Sequence, residues 1–318
     1  MKYIKLTIIF FLFIFWSTAQ TQGCNDAGLC TLGDFGTPKQ DGISKFQNEL
    51  TYTLGLGEQQ AIIQSVQYDQ RILILNNKLQ INLRVPFFYI YGNLAQTYGV
   101  GDISLGLSYL IQSEAKSRFS VFLGTKLPVN DANKSNDGKG LPMVYQTSLG
   151  TYDLMAGVNM VLEKWHFGLG YQQPFGENKN TFTYSVWEGN QDAVEYFQSA
   201  YLTRGADAIL RADRYFLFEK NSLKAGLLAI YRVESDQIII DGETDSPEGS
   251  KGFTLNLALE YKIPLKNNDK IRLMAAAPLI TREYRTDGLT RSFVIGLAYA
   301  FGKRPDDMLK PAKFNFEN

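Results

Sequence analysis

Phe293-Val294-Ile295-Gly296-Leu297-Ala298-Tyr299-Ala300-Phe301 carries large apolar side chains on its odd positions and small ones on its even positions. A period of two sends successive side chains to opposite faces of an extended strand. One face suits lipid, and the other needs none. Ile103, Leu105, Leu107, Tyr109 and Ile111 repeat the rhythm against Ser104, Gly106 and Ser108. So do Phe253, Leu255, Leu257, Leu259 and Tyr261 against Thr254, Asn256, Ala258, Glu260 and Lys262. A charge between aliphatic neighbours is costly in hydrocarbon, so Glu260 and Lys262 are expected to face a lumen.

About a dozen such segments follow one another. The first starts at Phe46, with Asn48, Leu50, Tyr52, Leu54 and Leu56 on its outward face. Others are expected at about 60–74, 78–91, 101–112, 117–128, 147–162, 164–174, 200–214, 222–234, 251–263, 270–282 and 290–302. Short turns, such as Asn76-Asn77 and Glu163-Lys164, alternate with long connections near 92–100, 129–146, 175–199, 235–250 and 283–289. Outer-membrane barrels place short turns in the periplasm and long loops outside. The reading is therefore an all-β chain folded as a transmembrane antiparallel up-and-down β-barrel of about 12 strands. A soluble β-sandwich also alternates, but about a dozen outward apolar faces would need one very large common core.

Composition agrees. Of 318 residues 45% are hydrophobic, yet after the N-terminus no apolar run approaches the roughly 20 residues of a helical span. Lys and Arg, 32 in all, balance 32 Asp and Glu, which leaves no basic field for nucleic acid. Lys2 and Lys5 precede an apolar run from Leu6 to Trp16, and small residues Ser17-Thr18-Ala19 follow. That is a secretory signal peptide in composition and length, expected over residues 1–19; a signal anchor is the alternative. Residues 20–43 read as an irregular segment that could tuck into the barrel, 44–302 as the barrel, and 303–318 as a periplasmic tail.

Cys24 and Cys30 are the only thiols. In an oxidising compartment a short C-x5-C loop closes most simply as a disulfide. It lacks the C-x-x-C spacing of a catalytic pair, and lipidation of Cys24 is a weaker option.

The residues suited to chemistry are sparse. His166 is the single histidine, which excludes multi-histidine metal sites. A barrel phospholipase would need a serine two residues beyond it, where Gly168 stands. No G-x-S-x-G, P-loop or dinucleotide fingerprint is present, and the Asp/Asn-rich stretch Asn130 to Gly138 lacks the acidic twelfth ligand of an EF-hand. The chain is thus read as no enzyme, with no cofactor and no metal. The inward positions are the candidate site: Glu49, Asp69, Arg71, Arg84, Lys126, Asp153, His166, Asp207, Arg211, Arg232, Glu260 and Arg272. These interleaved charges either pair into a network that fills the barrel or line a watery path for polar solutes. Asp192 to Gln198, in the loop 175–199, is expected to form a short helix over the mouth, as a gate or contact surface.

Gly99-Val100-Gly101-Asp102-Ile103-Ser104-Leu105-Gly106-Leu107-Ser108-Tyr109, then Phe122-Leu123-Gly124-Thr125-Lys126-Leu127-Pro128 and an Asp/Asn/Gly loop, resembles the outer-membrane channels associated with the meta pathway of phenol degradation. Those are similar, more distantly, to the long-chain fatty acid channel. The resemblance covers mainly residues 80–175 and the closing strand. It implies a barrel in the bacterial outer membrane that lets small, often aromatic or apolar, solutes pass, with membrane lipid and a small solute as partners. The alternative is a non-conducting structural or adhesive barrel whose loops bind a partner.

Overall fold

The computed structural model describes residues 46–302, apart from 115, 266–268 and 290. The signal peptide, Cys24 and Cys30, and the tail 303–318 lie outside the described residues. The strands are β1 (Phe46–Leu56), β2 (Ile62–Ile74), β3 (Leu79–Tyr91), β4 in two parts (Gln96–Val100 and Ile103–Ser113), β5 (Ser117–Leu127) and β6 (Tyr152–Leu162). They continue as β7 (Trp165–Phe175), β8 (Asp207–Leu217), β9 (Ser222–Arg232), β10 (Gly252–Pro264), β11 (Lys270–Ile280) and β12 (Phe293–Phe301).

Each strand pairs antiparallel with the next, and β12 returns to β1 with Leu50 opposite Tyr299 and Leu54 opposite Ile295. The sheet is a closed antiparallel barrel of twelve strands, the two parts of β4 counting as one. Closure leaves no edge, so every strand finds its ladder without water. No helix among the described residues is long and apolar enough to cross a membrane; this chain crosses with strands.

The outer face follows from the alternation. Leu50, Val66, Leu107, Leu123, Leu154, Leu169, Leu210, Leu227, Leu273 and Leu297 are exposed in a continuous aliphatic belt. Aromatic side chains stand at its two rims. Tyr89, Tyr91, Tyr152, Phe175, Tyr231, Phe253 and Phe293 mark the rim of the long loops, and Trp165, Phe216 and Tyr299 the other. At that lower rim Trp165 stacks on Phe167 at 5.9 Å and Tyr299 on Phe301 at 5.6 Å. Arg214 lies 4.9 Å over the Trp165 ring. Amphipathic rings and a cation suit a membrane interface.

Short turns close the end of the barrel that carries Phe46 and Phe301, and the long connections gather at the other end. In the turn after β2, Leu75, Asn76 and Asn77 all adopt positive φ, of 50°, 54° and 63°; asparagine tolerates this where most residues resist it.

Three strand starts differ from the sequence reading by five residues or more, and one expected helix is shorter, each for a local reason. β4 begins at Gln96 and breaks at Gly101-Asp102, where two residues of β3 lie opposite three of β4. This bulge turns Asp102 inward, and a Cβ at Gly101 would sit 2.4 Å from the Phe88 ring. β6 starts at Tyr152 and β8 at Asp207, because the apolar residues before them (Leu149, Leu202) are buried in the mouth rather than on the barrel wall. The segment 192–198 forms a single 3-10 turn, Ala193–Glu195, and its Tyr196 is fully buried instead of presented for contact.

Candidate functional site

The twelve charged and polar positions singled out above all lie in barrel strands. Arg71 and Arg84 are half-buried and the other ten are buried. They form separate clusters around the wall. At mid-height the Arg84 Nε donates to Asp69 at 2.6 Å, and Gln67 donates to the second oxygen of Asp69 at 2.6 Å. Arg272 bridges Glu49 and Glu260, the latter at 2.9 Å, and Lys224 joins Glu260 at 3.1 Å. His166 shares Asp213 with Arg211, at 2.8 and 2.7 Å, and its Nε2 meets Asn159 at 3.2 Å. Asp213 reaches inward because its cross-strand partner is Gly226, where a Cβ would fall 1.8 Å from its carboxylate oxygen.

Nearer the mouth, Asp153 collects Arg204, Gln172 and Lys126, the last at 3.7 Å. Arg232 holds Asp207 through Nε at 2.7 Å, Asp287 at 2.9 Å and also Asp236. Arg282 joins the same two loop carboxylates, Asp236 at 3.6 Å and Asp287 at 2.5 Å. Arg204, Asp236, Arg282 and Asp287 lie in loops and are buried. The period-two reading missed them: Asp236 and Asp287 fall in its long connections, Arg204 on the outward register of its strand 200–214, and Arg282 at the last position of its strand 270–282.

Those loops fold over and into the barrel end. A buried core joins Ala61, Ile63, Phe88, Ile90 and Leu94 near the wall to Leu141, Val144, Tyr145, Phe182, Trp187 and Tyr196 from the loops. The Tyr145 hydroxyl accepts from the Leu94 amide at 3.1 Å and meets the Tyr196 hydroxyl at 2.9 Å. The Trp187 indole donates to the Gly140 carbonyl at 2.6 Å. A second core gathers Ala132, Met143, Leu149, Leu202, Ile238 and Leu289.

Two buried asparagines clip the loops together. Asn180 donates to the Ala132 and Leu141 carbonyls, both at 2.9 Å, and accepts from the Phe182 amide at 3.0 Å and the Ser199 hydroxyl at 2.9 Å. All four of its hydrogen-bonding valences are used. Asn178 accepts from the Leu202 amide at 2.9 Å and donates to the Leu149 carbonyl at 3.2 Å. The Asp/Asn-rich stretch serves its own backbone: Asn130 accepts from the Ala132 amide at 3.0 Å and Asp131 from the Asn133 amide at 3.3 Å. Replacing Asn180 by alanine strands buried carbonyls and donors, each costing about 1–3 kcal/mol. The expected result is faster proteolysis within 129–146 and 176–206 with an unchanged barrel, read by limited digestion of the folded protein.

Glu58 sits beneath this mouth in the connection Glu58–Gln60, where Gln59 and Gln60 adopt φ of 46° and 59°. It is 4% exposed, and its Oε1 meets no donor among the described residues. Burial pushes its carboxyl up to about 8, with Asp287 adding to the rise and Arg285, Arg291 and Arg282 opposing it. The folded chain holds this proton more tightly than the unfolded one. Its stabilising share is therefore full below the ordinary glutamate range and is lost as pH rises through about 8. The mouth should be more open to protease at alkaline pH than at neutral pH, and Glu58→Gln should flatten that difference.

Among the described residues, cavities lie at two levels inside the barrel. The upper, of about 40 Å³, lies between Phe88, Asp102 and Lys126 on the wall and Gln146, Ser148 and Leu289 from the mouth. The lower, of about 120 Å³, lies in the mid-barrel against β8–β12 and β1–β3. Gln67 and Arg84 line both.

No family model and no curated protein matches the chain. Among solved structures, an outer-membrane channel from Pseudomonas putida F1 matches with a TM-score of 0.58 at 16% identity, over 83% of this chain and 97% of that one. By fold the chain is an outer-membrane β-barrel. The NanC porin (TM-score 0.46, 8% identity, 80% of this chain and 98% of that one) and a Pseudomonas aeruginosa FadL homologue (0.35, 11%, 80% and 88%) lie further away. The likeness to outer-membrane channels read from the sequence thus returns at the level of fold. Together with the aliphatic belt and its aromatic rims, the closed barrel places the chain in the bacterial outer membrane.

Proposed function

We propose that the barrel is a passive channel for small solutes whose outer end is closed by its own loops. The observation that carries this reading is the mid-barrel cavity of about 120 Å³, set among preformed ion pairs inside a closed barrel and capped by a mouth with its own core. A wall of paired charges with water-accessible space suits polar passage; a barrel meant only as a scaffold could fill that space with side chains. A catalytic role is disfavoured by the surroundings of His166, which is fully buried between Asp213 and Asn159 with Gly168 on its own face.

The folded mouth is also what favours the second reading, a non-conducting surface barrel whose loops meet a partner. Swelling of liposomes loaded with the purified protein separates the two. Influx of small neutral and singly charged solutes, with exclusion of oligosaccharides, is expected for a channel; no influx of any solute would support the sealed barrel. Export through residues 1–19 and a disulfide between Cys24 and Cys30 belong to the same proposal. Thiol titration of the exported protein, before and after reduction, tests the latter.

A further inference from the structure

The lower cavity is lined by an apolar group and a charged group set side by side. Leu228, Ala258, Met274, Ala276 and Val294, from β9 to β12, present methyl groups and a thioether. Lys224 and Arg272 stand on the same strands β9 and β11, nearer the short turns, Arg211 pairs cross-strand with Leu228, and Arg84 lies across the barrel on β3; Asp213 and Glu260 are the two carboxylates in the lining. The partners Asp69 and Glu49, which hold Arg84 and Arg272, do not line the cavity. Asp213 is divided between His166 and Arg211, and Glu260 between Lys224 and Arg272. Cations outnumber carboxylates four to two in the lining itself, while Asp69 and Glu49 behind it balance the charge of the whole cluster and hold the cations in place.

Scale and environment narrow what would fit. A dry apolar cavity of about 150 Å³ takes one benzene, and this one measures about 120 Å³ and opens onto the lumen. Arg211, Lys224 and Arg272 are all buried and paired, so an anion placed among them meets donors already fixed in position. A guanidinium matches a carboxylate in a two-pronged geometry. A neutral ring would fill the apolar wall but gain nothing from the cations, and an inorganic anion would gain nothing from the wall.

We propose that this cavity is a binding site for a small amphipathic monoanion: one ring or short chain bearing a single carboxylate. It deepens the channel reading above by naming a class of solute for the same lumen. The head would lie among Arg211, Lys224 and Arg272, and the body against Leu228, Met274 and Val294.

Benzoate and benzamide are matched probes that differ in the charge of the head. Their binding to the full-length protein in detergent, measured by calorimetry, should favour benzoate at least tenfold and weaken with added salt. Lys224→Gln leaves Glu260 its pair with Arg272, and should weaken benzoate about tenfold while leaving benzamide as it was. Ala276→Phe fills the apolar side and should abolish binding of both probes, with heat-modifiable gel mobility reporting that the barrel is folded. Met274→Glu, which sets a carboxylate against the apolar wall, should reverse the preference and serves if Lys224→Gln does not fold. Equal binding of the two probes, no benzoate binding, or undiminished binding by Ala276→Phe would overturn the site. Benzoate binding without solute influx in liposomes would leave the site standing and sink the channel; influx without benzoate binding would do the reverse.

Discussion

Replacing Arg232 by methionine is expected to unfasten the mouth from the barrel. Arg232 is 2% exposed, and its guanidinium is shared among Asp207 on the wall and Asp236 and Asp287 in two different loops. Methionine fills much of the same space, so the loss is mainly electrostatic. Three buried carboxylates lose a common cation, and Arg282 can answer only the two loop partners that it already holds. Breaking a buried pair by removing one member costs about 3–5 kcal/mol. In the parent protein Arg282 and Arg232, with Arg204 behind them, hold Asp287 well below the usual carboxylate range against its burial, so the substitution removes one of the cations that keep this carboxylate charged. Protease should then cut within 233–251 and 281–292 much faster than in the parent protein, while heat-modifiable migration, which reports the barrel, persists. Arg232→Lys should fall between the two, since an ammonium keeps the charge but not the fork. Equal digestion of all three proteins would show that the network does not hold the mouth.

The second large effect is on conduction. Tyr145 lies at the centre of the loop core with no exposed surface, touching Gly92 so closely that a Cβ there would fall 2.3 Å from its hydroxyl. Tyr145→Ala removes the ring from that core and the acceptor for the Leu94 amide. Truncating a buried aromatic costs about 3–5 kcal/mol, enough to shift a marginally folded cap toward open states by a hundredfold or more. Open-channel events should become far more frequent, with the single-event conductance rising severalfold. Tyr145→Phe keeps the ring and loses only the hydroxyl contacts, worth about 0.5–1.5 kcal/mol, so its recordings should resemble those of the parent. The contrast between alanine and phenylalanine separates packing from hydrogen bonding as the force that keeps the mouth shut.

The barrel was legible because its physics is local. Each strand must show lipid one face and the lumen the other, so Phe293 to Phe301 or Ile103 to Ile111 reveal their pairing surface in consecutive residues. Turn chemistry added the sidedness, as at Asn76-Asn77. The mouth obeys no such period. Asn180 finds its carbonyl partners 48 and 39 residues back along the chain, at Ala132 and Leu141, and Tyr145 meets Tyr196 51 residues on. Segments rich in Asn, Asp and Gly read as solvated loops, yet here their side chains satisfy one another's buried backbone. Asp236 and Asp287 carry no mark in sequence that separates them from exposed charges; only the inward Arg232 they serve, at the top of β9, points toward them. The break in β4 was likewise hidden, because Gly101-Asp102 fits the start of a strand as well as a bulge within one.

That the barrel conducts and that its mouth holds it shut are one proposal. Single-channel recording in planar bilayers, with the parent protein and Tyr145→Ala side by side, tests it most directly. Small or rare openings are expected for the parent and frequent, larger steps for the variant at the same voltage. Absence of current from both, with both barrels folded by gel mobility, would contradict it.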